Sequence, residues 1–348
     1  PGEVEAAGQY VRAIELGRAS RTSEGMLAAV QSSIALAEQL VSVGRTEEAG
    51  ARLRAAIGMS PSCDAQAVGR YVVLAEMRLG QTLGESDDRA LAVEHLGNAY
   101  ARGRLSGEPW VRELAAQAAC SLHRVLCSLD RWAEARALAE DAAAFAGGLE
   151  SPTGRALAAA ANYARAFQKL HDGDAPQARA LLAEVADRGF ESGAEVGERV
   201  ALDALLLAGH LDRQAGRLPE ALAQFQRALR QLRGSTGHES DGLAAMAAVN
   251  SGHVLMALER QLESRYAYEQ ALERGRSSGT STGRAAAANA ALNLASMLED
   301  EVGEDKRREW YGIALALGRS SRTTLGTECA RNAEKGLAGL DGRGEERD

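Results

Sequence analysis

The strongest constraint on this chain is a spacing. Ala6, Ala49, Ala92, Ala135, Ala178, Ala221, Ser264 and Arg307 follow one another at intervals of 43 residues. Seven residues after each stand Ala13, Ala56, Ala99, Ala142, Val185, Ala228, Ala271 and Ala314, so one column is almost all alanine. Between the two columns runs a larger side chain, as Tyr10, Leu53, Leu96, Ala139, Leu182, Phe225, Tyr268 and Tyr311. Twelve residues before the first column come Ala37, Gly80, His123, Ala166, Gly209, Gly252 and Ala295, most of them small. A chain that repeats itself in this way stacks one supersecondary unit on the next rather than folding around a single centre.

Each period reads as two helices. From Leu218, the residues Leu218, Ala221, Leu222, Phe225, Ala228, Leu229 and Leu232 step by three and four, one apolar stripe with Glu220, Gln224, Arg227 and Gln231 off it. The preceding segment, from about Val200 to Ala215, is apolar on several sides through Leu202, Leu205, Leu206, Leu207 and Leu211, which predicts a helix sandwiched between neighbours. Turns within units are expected at Gly44-Arg45, Gly84-Glu85, Asp130-Arg131, Gly173-Asp174, Gly216-Arg217 and Gly303-Glu304, where glycine suits a left-handed cap. Longer Gly/Ser/Pro loops join the units, and Ser60-Pro61 and Ser151-Pro152 read as an N-cap followed by proline in the first helical turn.

Composition narrows the function. The net charge is −8 and both signs are interleaved along the chain, so no basic field exists to neutralise a phosphate backbone, and nucleic acid is not an expected partner. No run of eighteen apolar residues and no apolar leader is present, which predicts a soluble chain without a membrane segment. Of the four cysteines, Cys63, Cys120, Cys127 and Cys329, the closest pair is seven residues apart on one predicted helix. That places them roughly 10 Å apart, too far for a disulfide, and such sparse thiols suit a reducing cytoplasm.

The segment Ala208-Gly209-His210-Leu211-Asp212-Arg213-Gln214-Ala215-Gly216-Arg217-Leu218-Pro219-Glu220-Ala221-Leu222-Ala223-Gln224-Phe225-Gln226-Arg227-Ala228-Leu229 resembles the tetratricopeptide (TPR) pattern. Gly209, Ala221, Phe225 and Ala228 carry the match. The usual repeat of that family is about 34 residues long, so the longer units here are similar to those of kinesin light chains and of spindle-orienting adaptors. The Trp and Tyr that the family carries in its first helix are missing from most units. The resemblance implies an all-α fold, an α-α superhelix or TPR-like solenoid of about seven helix hairpins with terminal helices.

The expected layout is one solenoid over 1–341. It begins with a second-helix remnant at 3–17 and continues with units at about 22–60, 63–103, 108–147, 153–189, 195–234, 239–277 and 282–320. A C-terminal helix at 323–340 and a charged tail at 342–348 follow. Because the opening helix has no first-helix partner before it, residue 1 is expected to lie inside a repeat, with a further domain N-terminal to it; a lone capping helix is the alternative.

Motifs that carry chemistry find little support. Gly275-Arg276-Ser277-Ser278-Gly279 matches the G-x-S-x-G nucleophile string, but that string works on a strand-to-helix turn and no strand is predicted. Asp172-Gly173-Asp174 lacks the remaining ligand positions of a calcium loop and reads as a turn with an N-cap. The six histidines are read as lacking zinc spacing, with His95, His171 and His238 solvated and His123 standing in for a packing residue. No phosphate loop is present. Neither a cofactor nor a metal is expected, and an enzyme has no residues to rest on.

A groove is better supported, because stacking sets equivalent first-helix positions side by side. Two positions before the small residue stand Ala35, Arg78, Ser121, Ala164, Leu207, Asn250 and Asn293; one position after it stand Glu38, Gln81, Arg124, Phe167, His210, His253 and Ser296. By resemblance, Asn250 and Asn293 match the asparagine with which long-unit peptide readers clasp a bound backbone, an amide offering both donor and acceptor. Asn289 lies one turn before Asn293. Asn250, Asn289, Asn293, His210 and His253, with Arg78 and Arg124 further along, are therefore candidates to line a peptide channel; they also fit ordinary solvated positions. The expected function is a protein-protein interaction module or scaffold that holds a peptide or partner protein. A sensor arm of a larger signalling protein, a kinase or nucleotide-switch ATPase, and a self-assembling scaffold are the competing readings.

Overall fold

The computed structural model describes residues 2–59, 65–85, 88–234, 237–297 and 303–345, and these form 16 helices and no strand. Helix α1 (Gly2–Ser20) opens the chain. Four hairpins follow: α2 (Ser23–Ser42) with α3 (Thr46–Met59), α4 (Ala65–Gly84) with α5 (Arg89–Gly103), α6 (Pro109–Ser128) with α7 (Trp132–Ala146), and α8 (Pro152–His171) with α9 (Ala175–Glu191). Three more are α10 (Glu195–Gln214) with α11 (Leu218–Gln231), α12 (His238–Ala257) with α13 (Gln261–Ser277), and α14 (Ser281–Met297) with α15 (Glu304–Ser321). Helix α16 (Thr324–Glu345) is last. It continues through Gly342–Glu345, residues the sequence assigns to a tail; a helix already nucleated extends past each of the two glycines there at a cost of only about 1 kcal/mol. The Ser60-Pro61 cap and Cys63 lie outside the described residues, while Cys120, Cys127 and Cys329 are free thiols. No helix among the described residues is long and apolar enough to cross a membrane.

The helices gather into two compact units, residues 1–201 and 202–348, divided inside α10. In the first, successive first helices touch one another, α2 with α4, α4 with α6 and α6 with α8, whereas among the described residues α3, α5, α7 and α9 make no such contacts with one another. First helices therefore form an inner layer and second helices an outer one. The second unit repeats the arrangement, with α12 touching α14 and α14 touching α16 but no contact between α13 and α15 among the described residues.

The alanine columns are the reason the layers nest. Ala49, Ala92, Ala135, Ala178 and Ala221 are fully buried, as are Ala56, Ala99, Ala228, Ala271 and Ala314. Ser264 and Arg307 occupy the same column and are buried too. Each hands a hydrogen to the first-helix carbonyl twelve residues earlier: Ser264 Oγ to Gly252 O at 2.9 Å and Arg307 Nε to Ala295 O at 3.3 Å. A polar side chain is tolerated there because it has a partner.

The small first-helix column faces the large second-helix column sixteen residues later. A Cβ added to Gly80 would lie 2.5 Å from Leu96 Cγ, one on Gly209 2.6 Å from Phe225 Cε1, and one on Gly252 2.6 Å from Tyr268 Cε1. The third hairpin inverts the sizes, with His123 in the small column and Ala139 in the large one, both buried.

Within hairpins the expected left-handed turn occurs at Gly44, Asp130, Gly173 and Gly216, and also at Glu259, where no glycine announces it. Gly84 and Gly303 do not take it: Gly84 ends α4 and Gly303 is the N-cap of α15 with extended backbone. Between hairpins a second device recurs. In Gly17-Ser20-Thr22-Gly25, Gly275-Ser278-Thr280-Gly283 and Gly318-Ser321-Thr323-Gly326, the serine hydroxyl donates to the first glycine's carbonyl at 2.7, 3.0 and 2.8 Å. The threonine hydroxyl accepts from the last glycine's N–H at 3.1, 3.0 and 3.0 Å. One hydroxyl closes the outgoing helix and the other caps the incoming one.

Candidate functional site

Of the seven candidate groove residues, Arg78 and Arg124 belong to the first unit, and His210, Asn250, His253, Asn289 and Asn293 to the second. In the first unit Arg78 on α4 is already engaged: its Nε donates to Glu38 Oε1 on α2 at 3.0 Å and its Nη1 to Gln81 Oε1 at 3.4 Å. Gln81 Nε2 in turn donates to Ser121 Oγ on α6 at 3.2 Å. These are the positions flanking the small column, so a polar ladder crosses three first helices along the inner layer. Arg124, one turn after Ser121, is exposed and makes no ion pair among the described residues.

Beside that ladder the inner layer opens into a cavity of about 620 Å³. Gln117, Cys120, Ser121, Arg124 and Ser128 line it from one stripe of α6, and Leu157, Ala160, Ala164 and Phe167 from one stripe of α8. Trp132 at the start of α7 and Val196 and Val200 on α10 close its sides. The Trp132 ring stacks on His171 with centroids 3.8 Å apart and runs nearly parallel to Phe167 at 6.4 Å. Phe167 itself is 41% exposed, so an aromatic face is open at the rim.

At the cavity wall lies a buried polar group that the sequence reading did not anticipate. Cys127 stands one turn after His123, so the His-x3-Cys spacing expected to be absent is present in α6, with Sγ 3.6 Å from His123 Nε2. Gln168 on α8 completes the group: its Nε2 lies 3.0 Å from His123 Nε2 and donates to Cys127 Sγ at 3.5 Å. Two potential ligands and an amide do not make a zinc site, and no cluster of three His, Cys, Asp or Glu that could hold a metal occurs among the described residues. Burial holds His123 down to about 4, pushes Cys120 up to about 12 and raises Cys127, so at neutral pH the imidazole is uncharged and both thiols keep their protons.

The second unit gathers a different set. His253 on α12 meets Asn289 and Asn293 on α14: His253 Nε2 is 3.2 Å from Asn289 Oδ1 and 3.3 Å from Asn293 Nδ2. Asn293 Nδ2 also donates to Asn289 Oδ1 at 2.6 Å and to Asn289 O at 2.8 Å. Asn250, one turn before His253, is half-buried beside them. Burial lowers His253, the Arg213 guanidinium lowers it further, and the Asn289 hydrogen bond opposes both; His210 is lowered for the first two reasons. What remains is a half-buried surface of amides and neutral imidazoles, able to donate and accept, with the Arg213 guanidinium nearby.

The other sequence motifs are structural. Ser278 is fully buried and donates to Gly275 O, and the G-x-S-x-G string runs off the end of helix α13, so it holds a helix junction. Asp174 Oδ1 accepts from Gln177 N at 3.1 Å as the N-cap of α9, after Gly173 in the left-handed conformation. His238 is exposed, but His95 is not simply solvated: its Nδ1 lies 2.5 Å from Oε2 of buried Glu76.

No family model matches the sequence, and none of the curated proteins does. Solved structures match the fold. The apo form of RapI superposes with a TM-score of 0.56 at 10% identity, over 83% of this chain and 97% of that one. The apo quorum sensor NprR of B. thuringiensis gives 0.52 at 11% identity, over 96% and 98%. The signal transduction ATPase with numerous domains from Pyrococcus horikoshii, which has a tetratricopeptide repeat sensor, gives 0.50 at 11% identity over 97% of this chain. This chain spans 52% of that protein's length. At these identities the likeness establishes architecture: the chain has the fold of TPR-like helical solenoids.

Proposed function

We propose that the chain is a protein-binding module of the TPR kind, with long units like those of kinesin light chains, and that it holds a peptide or partner protein against its first helices. The observation that carries this is the Asn250, His253, Asn289 and Asn293 surface: uncharged hydrogen-bonding groups from neighbouring first helices, on the layer that faces inward. Peptide bonds offer a donor and an acceptor at each residue and no charge, which is what such a surface complements. His210 belongs to the same face, while Arg78 and Arg124 serve the first unit's face. The sensor roles named for NprR and for the Pyrococcus ATPase support the reading. The role proposed is binding and not chemistry, in the cytoplasm, with neither nucleic acid nor membrane as partner. Replacing Asn250 and Asn293 together by Ala is expected to weaken partner capture at least tenfold with the helical content unchanged; unaltered capture refutes the assignment.

A second reading is favoured by the match to about half of an ATPase that has a tetratricopeptide repeat sensor: the chain is a sensor arm attached to a signalling domain. Reading the coding sequence upstream of Pro1 tests it, and a start codon directly before that position removes it.

A further inference from the structure

The cavity between α6 and α8 differs chemically from the amide surface just described. We propose that it binds a small organic acid, an aromatic or branched apolar body carrying one anionic group, with Arg124 holding the anion at the mouth. Its volume of about 620 Å³ lies in the range of small-ligand sites, roughly 300–1,000 Å³. Trp132, Tyr163, Phe167, Leu157, Val196 and Val200 supply aromatic faces and branched aliphatic walls.

The polar inventory selects the ligand. Among the described residues no carboxylate lines the cavity, and Arg124 is its one charged lining residue, with no ion pair to neutralise it. Most other polar groups are already spent inside the fold. Ser128 Oγ donates to Val125 O at 2.8 Å, and Ser121 Oγ accepts from Gln81. Trp132 Nε1 donates to Asp130 Oδ1 at 3.3 Å, and His123 and Cys127 turn to Gln168. A polypeptide lying here would bring a backbone donor and acceptor at every residue and find few partners for them. A molecule with one polar end and an apolar body leaves nothing unpaired.

The test uses two fluorescent probes that differ only in charge: anilinonaphthalene sulfonate and its sulfonate-free parent, phenylnaphthylamine, titrated into the purified chain. Saturable, one-site binding of the sulfonate is expected, displaced by decanoate at concentrations where decanol does not displace it. Arg124→Gln is expected to weaken the sulfonate roughly fivefold to tenfold and leave the parent unchanged. Ala160→Phe, at a half-buried lining position, is expected to weaken both probes, with circular dichroism confirming retained helix. Absence of saturable binding overturns the proposal. So does equal binding of both probes with no response to Arg124→Gln, which would assign the cavity to an apolar side chain of a protein partner. Because Asn250 and Asn293 play no part in these measurements, failure here leaves the partner-binding reading standing, and the reverse also holds.

Discussion

The contact between small first-helix positions and large second-helix positions predicts that one substitution, glycine to alanine, changes sign with its place in the repeat. Gly312 lies inside α15 with nothing within 4 Å of an added Cβ. Alanine there is expected to stabilise by about 1 kcal/mol, the ordinary helix-propensity gain. Gly252 lies inside α12, where an added Cβ would sit 2.6, 2.8 and 2.9 Å from Cε1, Cδ1 and Cζ of Tyr268. The ring is 1% exposed and has nowhere to go, so the two helices must part by most of an ångström. Such overpacking costs about 1–3 kcal/mol, which outweighs the propensity gain, and Gly252→Ala should destabilise while Gly312→Ala stabilises.

The repeat also supplies the rescue. Elsewhere alanine in the small column faces leucine in the large one, as in Ala37 with Leu53 and Ala166 with Leu182, all buried. Converting Gly252 and Tyr268 together to Ala and Leu reproduces that pairing. Tyr268→Leu alone leaves a gap costing about 1–3 kcal/mol, and the double variant should be more stable than the sum of the singles by at least about 1 kcal/mol. Urea denaturation followed by circular dichroism measures all four corners of the cycle. Additive singles, or a stabilised Gly252→Ala, would refute the reasoning.

Two further outcomes follow from buried polar groups. His123 is held at about 4 by burial, below its ordinary 6.5. As pH falls the unfolded chain therefore takes up the proton first, and the stability contributed by the neutral imidazole is complete above about pH 6.5 and lost as pH drops toward 4. About 2 kcal/mol should disappear over that window, and His123→Gln should flatten it in pH-dependent denaturation; an unchanged slope argues against a buried neutral ring. For the Glu76 and His95 pair, removing the imidazole with His95→Ala strands a buried carboxylate and should cost about 3 kcal/mol, whereas adding Glu76→Gln should recover part of it; equal stability of the single and double variants would show that the carboxylate does not need that partner.

The period of 43 residues was enough to place the helices, because burial of Ala49, Ala92, Ala135, Ala178 and Ala221 needs only that every hairpin present the same column to its neighbour. The junctions were less legible. Their glycines and serines read as loop composition, yet the order Gly, Ser, Thr, Gly encodes two hydroxyl caps, and that order was visible in three places. The turn at Glu259 has no glycine to mark it and follows only from the register with Gly44, Gly173 and Gly216. The His123 group was hidden for a different reason: Cys127 is a local neighbour, but Gln168 reaches them from a helix some forty residues away, and only the fold sets that distance.

The same columns explain how one backbone register carries two kinds of surface. Positions two before and one after the small residue flank the small-to-large contact, which they touch at His253, whose ring meets Tyr268 edge to face at 5.7 Å, and they vary from unit to unit while the stack is kept. In the first unit they read Ser121, Arg124, Ala164 and Phe167, and the inner layer becomes an apolar cavity with one cation. In the second they read Asn250, His253 and Asn293, and the inner layer becomes a hydrogen-bonding surface of amides and imidazole. The third hairpin goes further. With His123 in the small column and Ala139 in the large one, it reverses the contact itself, so the bulk that elsewhere comes from the second helix is supplied from α6 beside the cavity. Restoring the usual order with His123→Ala and Ala139→Leu should therefore preserve the stack, by the argument that links Ala37 with Leu53, and change the cavity wall while leaving the Asn250 surface alone. Loss of folding in that double variant, measured against His123→Ala alone, would mean that the inversion is required by the stack and was not free to be shaped by what the cavity holds.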